Sequence, residues 1–152
     1  MTGLEKYLSK EIGIEFKACL YFFCILFFYC ICRIVDGNWS ASIVHMGEMI
    51  LLTYGMGYFQ LFCLNNFDEG EKLGAREALY ILLCVGIYSL AAWGFQWFAG
   101  SILLLFFFAL YLVLAYVCAF LVYKVKRDLD SKVLNEELKA FQEKVKEINA
   151  EQ

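Results

Sequence analysis

Residues 102–123 read ILLLFFFALYLVLAYVCAFLVY, and the next four, 124–127, read KVKR. A stretch of 22 uncharged residues closed by a basic cluster suits a helix crossing about 30 Å of hydrocarbon at about 1.5 Å per residue. Working back towards the N-terminus, three more apolar runs appear, over about 78–98, 43–64 and 16–35. Short polar breaks separate them: Asp36-Gly37-Asn38-Trp39-Ser40, a charged loop over 65–77, and the tight turn Ala99-Gly100-Ser101. The pattern predicts an all-α membrane protein, a four-transmembrane-helix bundle over 16–123 followed by a C-terminal cytoplasmic helix over 124–152.

Composition points the same way. The 152 residues are 62% hydrophobic and 18% aromatic, with a mean hydropathy of +0.62. Soluble domains run nearer about 45–50% apolar, so the excess belongs to surface facing lipid. The formal charge of −3 argues against direct nucleic-acid binding, which needs a basic surface. The chain has no proline, which favours continuous helices over the interrupted helices of secondary transporters. Its seven cysteines, an odd number with no C-x-x-C pair, fit neither a disulfide framework nor a zinc ribbon. They read as small apolar packing residues, although Cys19, Cys63, Cys84 and Cys118 share one end of their spans.

Lysine and arginine set the orientation. Lys6, Lys10 and Lys17 precede the first span, Lys72 and Arg76 lie in the long loop, and Lys124, Lys126 and Arg127 follow the fourth. The other two loops carry only Arg33, so both termini are expected in the cytoplasm. Trp39, Trp93 and Trp97 would then gather at the outer interface, where an indole buries its ring and keeps its N–H wet. Residues 1–15 place Leu4, Leu8 and Ile12 at helical spacing and read as a separate amphipathic segment lying at the interface.

Two sets of residues are candidates for function. In the outer half of the second span, His45 and Glu48 stand at i, i+3, with Arg33 at similar depth as the expected partner of Glu48. Asp36 and Gln96 would complete an outer-leaflet polar cluster. Ionisable residues inside spans mark buried pairs or solvated cavities, and histidine changes charge near neutral pH. The functional reading is a sensing or binding pocket open to the outside; the structural alternative is an ion pair that fixes helix packing. The second set is the seam Leu134, Leu138, Phe141, Val145 and Ile148, spaced 4, 3, 4, 3 as in a short coiled coil. About two heptads are too short to be stable alone, so the seam is expected to need membrane tethering or a partner, either a cytoplasmic protein or a second copy.

Neither a catalytic triad, a glycine-rich phosphate loop nor a metalloprotease motif occurs. No enzyme activity, cofactor or metal is expected, and the lipid bilayer is an expected partner. Gly47, Gly55, Gly57, Gly86 and Gly94 are placed to let helices approach. Gln60 is an interhelical hydrogen-bonding residue, while Thr53 and Ser89 can bond their own helices.

The plan resembles DUF3021, a family of small bacterial four-helix membrane proteins. Ala92-Trp93-Gly94-Phe95 resembles the family's Gly-Trp-rich end of the third helix. Residues 111–124 and the stretch Leu134-Asn135-Glu136-Glu137-Leu138-Lys139 are similar to its aromatic fourth helix and Asn-Glu-x-Leu-Lys tail. The acidic loop before the third helix fits too, whereas Leu82-Leu83-Cys84 replaces a frequent His-Phe pair. The resemblance implies a bacterial plasma-membrane location and a LytTR-type DNA-binding regulator as neighbour and partner. It favours a regulatory membrane protein over the alternative, a subunit of a transporter or channel complex.

Overall fold

The computed structural model describes residues 3–65, 67, 70 and 72–150, with the backbone alone for Lys6 and for 147–150. Four helices follow in order: α1 (Gly3–Val35), α2 (Ile43–Cys63), α3 (Ala75–Gly94) and α4 (Ile102–Ala150). They pack as two antiparallel hairpins, α1 with α2 and α3 with α4, joined by a narrower contact between α1 and α4. Three of them, α1, α3 and α4, are long and apolar enough to cross a membrane. α2 is not among the three, because His45, Glu48, Gln60 and three glycines dilute its apolar content.

Each helix buries one stripe at three- and four-residue spacing. The stripes are Ile14, Tyr21, Ile25 and Tyr29 on α1; Met49, Thr53, Met56 and Gln60 on α2; Ile81, Cys84, Tyr88 and Ala92 on α3; Phe108, Leu112 and Tyr116 on α4. Outside lie Phe23, Phe27, Leu51, Leu79, Leu90, Leu103 and Phe106. The hydroxyls and the amide point inward while the surface is leucine and phenylalanine. That is the inverse of a soluble bundle and the arrangement lipid demands, since a polar side chain finds partners only in the interior. The chain is a membrane protein.

Aromatic rings fill the core. Phe28 meets Phe98 edge-on at 5.7 Å and Phe108 at 5.5 Å, and Tyr21 packs on Tyr116 at 4.6 Å. At Gly57 a Cβ would stand 3.0 Å from Ile14 Cγ2, so glycine there sets the approach of α1 to α2. Gly47, Gly55, Gly86 and Gly94 face open space, so the close-approach role expected of all five rests on Gly57.

Three boundaries differ from the sequence expectation. Residues 3–15 are not a separate segment: they continue unbroken into 16–35, because Glu11 and Ile14 pack on α2. Leu4, Leu8 and Ile12 form its exposed face. Residues 124–150 likewise continue the apolar run 102–123 as one 49-residue helix. The third helix stops at Gly94 rather than Phe98, since the chain turns back and buries Trp97 and Phe98. That turn puts Gln96 and Ala99, neither of them glycine, at φ of 55° and 50°, a conformation side chains disfavour. Burial of the two large rings offsets that cost.

Candidate functional site

The site lies where α2 begins, against the turn that joins α3 to α4. Ser42 caps α2, its Oγ accepting from the His45 amide at 3.4 Å, which suits serine at an N-cap. Its own amide donates to the Tyr29 hydroxyl at 3.4 Å. The cap thus ties the start of α2 to α1. It also points His45 and Glu48, one turn along, towards the 95–101 turn.

His45 Nδ1 and Glu48 Oε2 are 3.0 Å apart, with each side chain about a quarter exposed. Trp97 Nε1 donates to the same carboxylate oxygen at 2.9 Å. Tyr29 faces the imidazole edge-on at 6.0 Å. One carboxylate oxygen therefore fastens a histidine on α2 to a tryptophan in the α3–α4 turn. Charge-assisted bonds of this kind are the strong ones.

Of the expected cluster, His45 and Glu48 come together and Arg33 does not join them. The Arg33 guanidinium Nε donates instead to the Ser40 carbonyl at 3.2 Å, closing the α1–α2 loop on itself. That carbonyl is within reach because Asp36, Gly37 and Asn38 fold back onto the last turn of α1. Asp36 is exposed in that turn, and Gln96 is exposed where the chain takes its left-handed step. Trp39 and Trp93 are exposed on the fold, but Trp97 is only 3% exposed. The missing partner was this tryptophan. The signal for it is thin: a buried indole N–H requires an acceptor, and no spacing rule says which.

Three further polar junctions hold the helices. Gln60, 1% exposed, donates from Nε2 to the Tyr116 hydroxyl at 2.6 Å and to Cys84 Sγ at 3.8 Å. This confirms the expected interhelical bond and links α2, α3 and α4. Its Oε1 has no partner among the described residues. Phe67, from the α2–α3 loop, stacks on Tyr116 at 6.0 Å, and Arg127 Nη2 donates to the Gly70 carbonyl at 2.9 Å. The loop is thereby fastened to α4 where that helix leaves the bundle. At the same end, the Tyr54 and Tyr58 hydroxyls both donate to Glu11 Oε1. Thr53 bonds its own helix at Met49 O, 2.9 Å away, whereas Ser89 Oγ finds no such acceptor among the described residues.

All seven cysteines are free thiols, with Cys84 buried and Cys19, Cys63 and Cys118 exposed. No group of three or more His, Cys, Asp or Glu among the described residues could hold a metal ion.

The seam residues Leu134, Leu138 and Phe141 are 54–67% exposed and Val145 is 38% exposed. They lie along the part of α4 beyond the bundle. The Ile148 side chain lies outside the described residues.

No family model matches this chain, and no curated protein or solved structure is significantly similar to it.

Proposed function

We propose that the chain is a non-enzymatic regulatory protein of the bacterial plasma membrane, with four spans and both termini in the cytoplasm. α2 serves as the fourth span. At about 1.5 Å per residue its 21 residues cover about 31 Å, and it runs beside α1 from the Tyr29–Ser42 contact to the Ile14–Gly57 contact. Of the groups that make it polar, Gln60 bonds through Nε2 inside the bundle, while His45 and Glu48 lie near a helix end.

One observation carries the functional reading: α4 runs without interruption from Ile102 to Ala150, and its distal part presents an unburied apolar seam. A rigid helix, about 40 Å beyond residue 123, is suited to holding a cytoplasmic protein at the membrane. The resemblance to DUF3021 makes a LytTR-type regulator the partner class. His45 and Glu48, fastened to Trp97, are where an external signal would act, because they join α2 to the α3–α4 hairpin that carries the tail. A transport role would need a polar path through the bundle, whereas Met49, Thr53 and Met56, all buried, lie between Glu48 and Gln60.

The test is crosslinking and pull-down from native membranes, comparing the intact chain with one ending at Asp130. Capture of a DNA-binding regulator by the intact chain alone supports the reading. Equal capture of transport subunits by both overturns it. In the full chain, Leu138→Glu with Phe141→Glu releases the partner and leaves insertion intact.

A further inference from the structure

The two hairpins leave a groove between α1 and α4 on the lipid-facing side. Tyr111 crosses it, donating its hydroxyl to the Cys24 carbonyl at 3.1 Å. Towards the tail, a cleft of about 420 Å³ runs from Tyr111 to Tyr123, walled by Leu20, Cys24, Leu114, Cys118 and Val122. Small side chains open it, since Ala115, Cys118 and Ala119 stand where α4 would otherwise fill the space.

Its dimensions decide what it holds. Residues 111 to 123 of a helix span about 18 Å, so this volume, spread along that length, makes a cleft much narrower than it is long. A helix is about 10–12 Å wide and does not enter. The length is close to half of an approximately 30 Å hydrocarbon core, the depth of one leaflet.

The ends differ in charge. Beyond Val122 on the same helical face comes exposed Lys126, and the Lys17 ammonium lies 5.6 Å over the Tyr123 ring. Asp130, the next carboxylate on that face of α4, is a further turn away. The opposite end of the groove, past Tyr111, is lined by Asp36.

We propose that this cleft is a binding site for one acyl chain of an anionic phospholipid, with its headgroup at Lys126. The site goes beyond the tail-binding reading and does not require it. Only the choice of the cytoplasmic leaflet, whose anionic lipids draw basic side chains at about 1 kcal/mol each, rests on the orientation proposed above.

The experiment is native mass spectrometry of the full chain released from vesicles of equal phosphatidylglycerol and phosphatidylcholine. The intact chain is expected to retain one phosphatidylglycerol, preferred about fivefold. Lys126→Glu abolishes the preference. Cys118→Trp, introduced at an exposed position, fills the cleft and abolishes retention, while Leu103→Trp, outside it, does not. Equal retention of the two lipids by the intact chain overturns the proposal. So does wild-type retention by Cys118→Trp, which would identify ordinary annular lipid. If Cys118→Trp fails to insert, Ala115→Leu is read with the same two outcomes. The tail-dependent pull-down is unaffected by any of these variants, so each proposal fails separately.

Discussion

The indole of Trp97 and the carboxylate of Glu48 are joined at 2.9 Å, and this single bond ties the turn between α3 and α4 to the first turns of α2. Because both groups are mostly shielded, removing either leaves the other short of a partner in a poorly solvated place. Trp97→Phe is expected to cost about 1.5–3 kcal/mol of stability in detergent-solubilised unfolding. In a double-mutant cycle, Trp97→Phe and Glu48→Ala are expected to couple. Arg33→Ala and Glu48→Ala add within about 0.5 kcal/mol, because they share no partner. Coupling of Arg33 with Glu48 would restore the ion pair that the spacing suggested.

Helix approach gives a second test. Gly57→Val places new atoms against Ile14, where a Cβ alone would already be 3.0 Å away. Overpacking of this kind costs about 1–3 kcal/mol, and Ile14→Ala should recover part of it. Gly55→Ala meets nothing within 4 Å and is expected to leave the melting temperature unchanged or slightly raised.

The Gln60–Tyr116 bond predicts a non-additive pair. Tyr116→Phe strands a buried amide and is expected to cost about 1 kcal/mol, in line with interhelical bonds in membranes. Adding Gln60→Leu removes the stranded group. The double variant should therefore be no less stable than Tyr116→Phe alone, as read by reversible unfolding in mixed micelles.

Topology is open to direct chemistry. A membrane-impermeant maleimide should label Asn38→Cys in intact cells and Ser131→Cys only after permeabilisation, in a background lacking the native thiols. The reverse labelling would invert the proposed orientation and remove the cytoplasmic tail from the functional reading.

Much of this architecture is visible in one dimension. The uncharged run 102–123, the breaks at 36–40 and 99–101, and the 4, 3, 4, 3 seam from Leu134 each depend on neighbours a few residues apart. Local propensity and the need to satisfy backbone groups in lipid settle such features before any packing occurs. The i, i+3 spacing likewise placed His45 and Glu48 on one helical face, although the expected partner of Glu48 was Arg33.

Tertiary structure decided how the helices face one another and where each polar group ends. In helices that are apolar on nearly every side, sequence gives little indication of which face turns inward. That choice fell to Tyr116 reaching Gln60, to Gly57 admitting Ile14 and to the aromatic rings around Phe108. The same holds for the turn after Gly94. Nothing local announces left-handed backbone at Gln96 and Ala99, and only the burial of Trp97 and Phe98 in the assembled bundle makes it worthwhile. Arg33 and Trp97 thus exchanged the roles that their positions along the chain suggested, because burial brought the indole to Glu48 while the turned-back loop gave the guanidinium a nearer carbonyl.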